Sequence, residues 1–447
     1  MSKPKKVEKQ LTDEYAQYLR ELIEEAGRVD AGREIFGAGK HQYRINPVLS
    51  MAEVRRAEEE RHVKFPEEYV FYLTRVGNGG AGPYYGLYPF EEVLAGDRNP
   101  YLGQIFEQTV KTQLTEEQWR EHMHKLDELG ESFETDADYE EYQSKLFSNM
   151  MPIGTQGCTY DNMLMLSGGD ADRIMYIDWN MEEDGPPFDT GVTFLEWMEG
   201  YFEDIIDGCQ MRSYGHRLRR TQQQVLEQYS SCRTPVAKRK LLDSLFRLKE
   251  LGDETIAFLE ELAFADEEVT DVCCVVLLQM KQEKGLGFFG KLLAERRIFA
   301  ICNCVSSIRR LPMEVRSQFY RQVLQILEEI QSEEGKSVYW YLMDCEQFRA
   351  GDIVEYVRRI KNKELLKTAI FVLGKAEDAL NYVDLFVEWM KSEDYWIAHA
   401  ALQAMSHKRH EKLMSVYRWM DEKYKEDSTM QSNLRIAMKN CGDGQGA

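Results

Sequence analysis

Cys273, Cys274, Cys302 and Cys304 are the residues best suited by type to hold a metal, because Cys273 and Cys302 fall on neighbouring helical hairpins of a repeating pattern. Zinc needs four converging ligands, and Cys302 and Cys304 sit about 200° apart round a helix, so they point to opposite sides. The reading is therefore of small apolar thiols packed between helices. His122 and His124 share that defect of spacing; His407 and His410 can share a face, yet nothing nearby completes a ligand set. Both pairs read as surface histidines. The run "DADRIMYIDWNMEEDG" has enough carboxylates for a calcium loop but lacks the D-x-[DN]-x-[DN]-G order and the bidentate Glu at its end. No nucleophile elbow, H-E-x-x-H, P-loop or paired cysteine and histidine signature occurs. The expectation is no metal and no cofactor; no catalytic signature is found, and with so many carboxylates the residues alone leave a catalytic acid pair open.

A second stretch invites chemistry: "VGNGGAGPYYGLYPFEEVL" from Val76 to Leu94. A phosphate-cradling loop follows a strand and opens a helix, so that the helix N-terminus faces the phosphates. Here the glycines follow a helix, Pro83 interrupts them, and the strand-like "YYGLYPF" comes next. Gly80, Gly82 and Gly86 give G-x-G-x-x-x-G, which is the wrong spacing. What remains is a helix exit and a turn.

The elements around these residues form two bodies. Residues 1–46 read as an N-terminal helix, Asp13 to Gly27, and a connector. Residues 47–211 read as an α+β domain: Ser50 with Glu53 makes a capping box, Pro66 opens a helix to Val76, and Gly77 suits the left-handed position beyond it. An acidic, helical insertion spans 107–148. Asn162 to Leu166 and Arg173 to Trp179 follow as antiparallel strands, and Thr193 with Glu196 caps a helix bearing Phe194, Trp197, Met198, Tyr201, Phe202 and Ile205. Residues 212–235 read as a junction.

From 236 to 441 the sequence repeats itself. A shift of thirty superposes Leu245, Val275 and Val305, then Leu248, Leu278 and Ile308, then Leu259, Phe289 and Phe319; the register loosens near Val338 to Ile360. That period, with no strand signal, predicts an all-α stack of HEAT-like helical hairpins, whose role is to present surface.

Formal charge is −21 over 447 residues. Tyr160 to Asp204 holds twelve acidic residues against Arg173 alone, and Glu107 to Ser148 twelve against four. That sign repels nucleic acid and attracts basic proteins. No stretch approaches about 18 uninterrupted apolar residues, and the basic start lacks a signal peptide's apolar region. Nine scattered cysteines then suit a reducing, cytoplasmic setting. Alternation along the last strand puts Trp179 with Met175 and Ile177 on the apolar face. At a frayed strand end, Trp179, Tyr84 and Tyr85 would instead form aromatic anchors inside an acidic rim of Asp161, Asp172, Asp178, Glu182, Glu183 and Asp184.

The marks "FPEEYVFYL", "NGG" at Asn78, "GLYPFEEV" at Gly86, "MPIG" at Met151, "IDW" at Ile177 and "TFLEWMEGYF" at Thr193 occur in an order that resembles the SUKH superfamily, which groups fungal cell-wall-assembly regulators with bacterial immunity proteins of polymorphic toxin systems. The resemblance runs from Pro47 to Ile206, and departs from the family in the long insertion after Phe106 and in Tyr160 and Asp161 standing where a glycine-aspartate pair is usual. It implies a small mixed sheet backed by helices, no catalysis and a protein partner: a basic toxin domain, such as a nuclease, or, in the alternative, a cellular protein bound by a scaffold of envelope assembly. Neither nucleic acid nor membrane is expected to bind.

Overall fold

The computed structural model describes residues 3–95, 102–104, 116–130, 135–180 and 187–442. The chain divides into two compact units, one of residues 1–221 with 246–249, the other of 222–245 with 250–447.

In the first unit the helices are α1 (Asp13–Val29), α2 (Ala38–His41), α3 (Met51–Arg61), α4 (Glu67–Arg75), α5 (Phe90–Leu94), α6 (Glu116–Gly130), α7 (Asp136–Leu146) and α8 (Phe194–Ile206). Both capping boxes form: Ser50 and Glu53 open α3, and Thr193 and Glu196 open α8. Pro66 lies one position earlier than expected, at the N-cap of α4 with extended ψ, and the positive φ angles fall at Gly79 and Gly80 instead of Gly77. The chain leaves α4 in ordinary backbone and reverses only where two adjacent residues lack a Cβ.

Strands β1 (Met150–Gly157), β2 (Tyr160–Met165), β3 (Arg173–Asp178) and β4 (Phe188–Thr193) form a meander in the order β1-β2-β3-β4. Every pairing among the described strands is antiparallel, where the resemblance implied a mixed sheet. The strand-like "YYGLYPF" does not make a full strand. Leu87 forms single bridges to Gly80 and Gly154 on the β1 side, and Phe90 begins α5. The glycine-rich stretch, read as a helix exit and a turn, also bridges to the β1 edge of the sheet through Leu87.

Period-two alternation gives the sheet two apolar faces. Ile174 and Tyr176 face a core shared with Tyr15 and Leu22 of α1, Tyr69 and Tyr72 of α4, and Phe194, Trp197 and Phe202 of α8. Met175 and Ile177 face a smaller core with Trp119 of α6, Leu146 at the end of α7 and Phe147 just after it. The insertion thus covers the second face. Residues 3–46 and 212–221 share the first body: α1 packs on α8, and the Tyr214 carbonyl accepts hydrogen bonds from the Tyr84 and Tyr176 hydroxyls at 2.7 and 3.1 Å.

The second unit is all-helical among its described residues. Thr270–Met280, Ile298–Arg309, Lys336–Met343, Lys363–Lys375, Tyr395–Met405 and Ser428–Gly442 lie in a row, each packed on the next, and start 28, 38, 27, 32 and 33 residues apart. Polar side chains tie the same interval: Arg239 to Asp271, Tyr320 to Asp352, Lys363 to Asp394 and Tyr395 to Asp427 are 31 or 32 residues apart. The long interval comes from broken short helices over 313–335, just before the segment where the sequence register loosens. Cys273, Cys274, Cys302 and Cys304 are all buried here, and burial pushes the Cys302 thiol up to about 12.

Gly86 has φ +88°, and a Cβ there would meet the Gly80 carbonyl oxygen at 2.2 Å, whereas Gly168 has φ +84° with open space around it. Gly168→Ala carries only the left-handed penalty of about 1–2 kcal/mol. Gly86→Ala must also break the backbone pairing and is expected to cost on the order of 4 kcal/mol; urea unfolding of the first unit measures the difference.

Candidate functional site

The turn between β1 and β2 and the end of β3 build one end of the sheet. Register places Thr155, Asp161 and Ile177 in one row and Gly157, Tyr160 and Asp178 in the next. Trp179 continues past β3, its N–H donating to the Thr159 carbonyl at 3.0 Å. Its indole Nε1–H donates to the Asp161 carboxylate at 3.0 Å, and its ring meets Phe147 edge-on at 5.2 Å. Trp179 is half-buried, so the two sequence alternatives describe two sides of one ring: one packs on the smaller core and the rest meets solvent beside a carboxylate. Asp178 accepts hydrogen bonds from the Thr159 hydroxyl and, at 3.1 Å, from the Asn180 N–H.

Tyr85 reaches the same end. Its N–H donates to Thr155 at 3.3 Å, its ring lies against Gly157, and Lys40 sits 5.9 Å above it. Tyr84, named with it as an anchor, is buried, and its hydroxyl is spent on the Tyr214 carbonyl. The positive φ of Tyr84, +57°, turns consecutive side chains apart, one into the core and one outward. The ring that joins Tyr85 at the surface is Phe36, 55 % exposed and edge-on to it at 5.2 Å. Phe36 was missed because it lies in a stretch with no periodicity, read as a connector.

Asp172 is at the other end of β3 and does not join this group. It holds φ +68° at the β2–β3 turn and lines an open cavity of about 320 Å³ with His62, Phe65, Pro66, Asn149 and Ser167. Burial pushes its carboxyl up to about 6, and the Glu68 charge adds to the rise, against the N–H groups of Glu68 and Tyr69 at the start of α4. Glu182, Glu183 and Asp184 lie outside the described residues.

The histidine pairs are used locally. His122 stacks on Trp119 at 5.6 Å and His124 pairs with Glu128 at 3.5 Å. His410 accepts from the Lys412 N–H at a helix start, while His407 meets Asn440. No group of three or more His, Cys, Asp or Glu able to hold a metal occurs among the described residues, and none of their helices is long and apolar enough to cross a membrane. What the sheet end offers chemically is recognition: two hydrogen-bonded carboxylates beside partly exposed rings.

Residues 49–200 match the model of the SMI1/KNR4 family (SUKH-1), so a domain of that type occupies about a third of the chain. No curated protein and no solved structure matches the chain. The match ends inside α8 and leaves out α1, which packs on it.

The raised pKa of Asp172 sets a stability prediction. The folded state holds this proton more tightly than the unfolded chain, so stability falls as pH rises from about 4 through about 6. Asp172→Asn removes the penalty. After discounting for its partial exposure, the gain is about 1–2 kcal/mol above pH 7 and nothing below pH 4, read from paired urea melts.

Proposed function

We propose that this chain is an immunity protein that binds and neutralises the toxin domain of a bacterial polymorphic toxin system. The SUKH-1 match supports an immunity or regulatory role, and the sheet end carries the choice of mode. There Asp161 and Asp178 are fixed beside Trp179, while Tyr85 and Phe36 present rings at the same end. Half-buried aromatics with fixed polar neighbours are what anchor protein interfaces. Carboxylates around them favour a basic partner, as a nuclease domain with a phosphate-binding cleft would be. The blockade is steric and electrostatic and needs no bond chemistry; the cytoplasm is where such a toxin would be met.

The helical unit, in this reading a HEAT-like repeat array, extends or braces the grip. It also favours a second reading, a regulatory scaffold holding a cellular protein, because Phe299 and Trp396 on its row of helices are 63 % and 57 % exposed. Genomic neighbourhood separates the two: an adjacent gene ending in a toxin domain supports immunity, and housekeeping neighbours support the scaffold.

Pull-down from the source cell followed by a salt titration tests the mode. Asp161→Asn with Asp178→Asn keeps the acceptors and removes the charges, and is expected to slow association about fivefold to tenfold and flatten its salt dependence. Affinity indifferent to salt in the unmodified chain contradicts the electrostatic mode.

A further inference from the structure

The helix α8 is buried from Phe194 to Ile205 except at Glu196, and a line of acids, Glu196, Glu199 and Glu203, with Asp207 just past its end, runs along it at spacings of three and four. Glu199 and Glu203 are 6 % and 5 % exposed. Both are fixed from the protein side. The Tyr15 hydroxyl donates to Glu199 at 2.6 Å, the Tyr18 hydroxyl to Glu203 at 3.3 Å, and Arg219 pairs with Glu203 at 2.9 Å.

Residues 3–9 lie across this strip with a lysine at every third position. Lys3 meets Asp207 at 2.7 Å, Lys6 meets Glu199 at 3.2 Å and Glu203 at 3.4 Å, and Lys9 meets Glu196 and Glu68 at 3.0 Å each. The match is one of length as well as charge. Six residues of extended chain cover about 19 Å, and the helix from Glu196 to Asp207 rises about 16 Å. Val7 packs against the core between the lysines.

The two sides differ in how firmly they are held. The central carboxylates are buried and held by other groups, whereas the Lys6 side chain is 67 % exposed and rests on ion pairs alone. Burial pulls the Lys6 pKa down, and Glu199 and Glu203 more than reverse it. Burial raises Glu203, and Arg219 and the lysines bring it below its ordinary value. The acids form a fixed template, and Lys6, the cation at its centre, is the one most open to exchange.

We infer that this face of α8 is a docking surface for an extended, lysine-bearing segment of a protein partner, and that residues 3–9 are its resident occupant, exchangeable with such a segment. The inference deepens the proposed function by giving the basic partner a recognisable chemistry. The three lysines, Glu203, Asp207 and Arg219 lie outside the family match, and Glu68, Glu196 and Glu199 lie within it, so the basic segment is this chain's addition to the domain.

The test needs no partner, so its failure leaves the proposed function standing. The probe is a fluorescent peptide, SKPKKVEKQLT, with a control carrying Gln at its three template-facing lysines. The full chain with Lys3→Gln, Lys6→Gln and Lys9→Gln is expected to bind the probe at least about tenfold more tightly than the unmodified chain, to ignore the control, and to lose the probe at high salt. Adding Glu199→Gln and Glu203→Gln should abolish binding. Equal binding by the two chains, or equal binding of probe and control, overturns the inference. Should the triple variant misfold, acetylation of the unmodified chain decides. Lys3, Lys6 and Lys9 are expected to react several-fold more slowly than Lys5 at low salt and equally at high salt; equal reactivity at low salt overturns the inference.

Discussion

A four-stranded sheet whose two faces are both apolar must be covered twice, and the first unit is organised by that requirement. One face takes α1, α4 and α8, and the other takes the acidic insertion through Trp119, Leu146 and Phe147. Each large apolar side chain so buried contributes roughly 1.5–3 kcal/mol, which no exposed charge pair approaches. Once both faces are closed, recognition is left to the ends of the strands, to exposed edges and to the outer sides of the covering helices. The candidate site is at such an end, and the lysine-bearing segment lies on such a helix.

The charge of the chain follows from the same arrangement. Carboxylates excluded from two cores gather where strands end and along α8 beneath residues 3–9. At the sheet end, hydrogen bonds from Trp179 and Thr159 orient Asp161 and Asp178, and both remain partly exposed. On α8 the acids are too deep to remain unpaired, because a buried charge without a partner is destabilising by several kcal/mol. Asp204, 1 % exposed, meets that need with Arg219 and Arg247, and Glu199 and Glu203 meet it with tyrosines, Arg219 and the lysines of residues 3–9.

Local signals in the sequence read well. The capping boxes at Ser50 and Thr193, the apolar stripe of α8 and the alternation along β3 each depend on neighbours within a turn or a pleat, so a window of a few residues contains them. The α+β first unit and the all-helical second unit follow from the same signals. Less was legible where tertiary contact decides. Tyr84 and Tyr85 are adjacent and alike, and only the left-handed turn between them sends one inward. Asp172 and Asp178 are six residues apart in sequence, but an extended strand carries them about 20 Å from each other. The lysine spacing of residues 3–9 was visible but had no meaning without the helix it meets, about 190 residues later.

The central claim is that fixed carboxylates of the first unit contact a positively charged protein. Zero-length carboxyl-to-amine cross-linking of the captured complex, mapped by mass spectrometry, addresses it most directly. The account predicts links from Asp161, Asp178 or the acids of α8 to partner lysines, lost at high salt. Links confined to residues 222–442, or a partner joined through no carboxylate of the first unit, would contradict it.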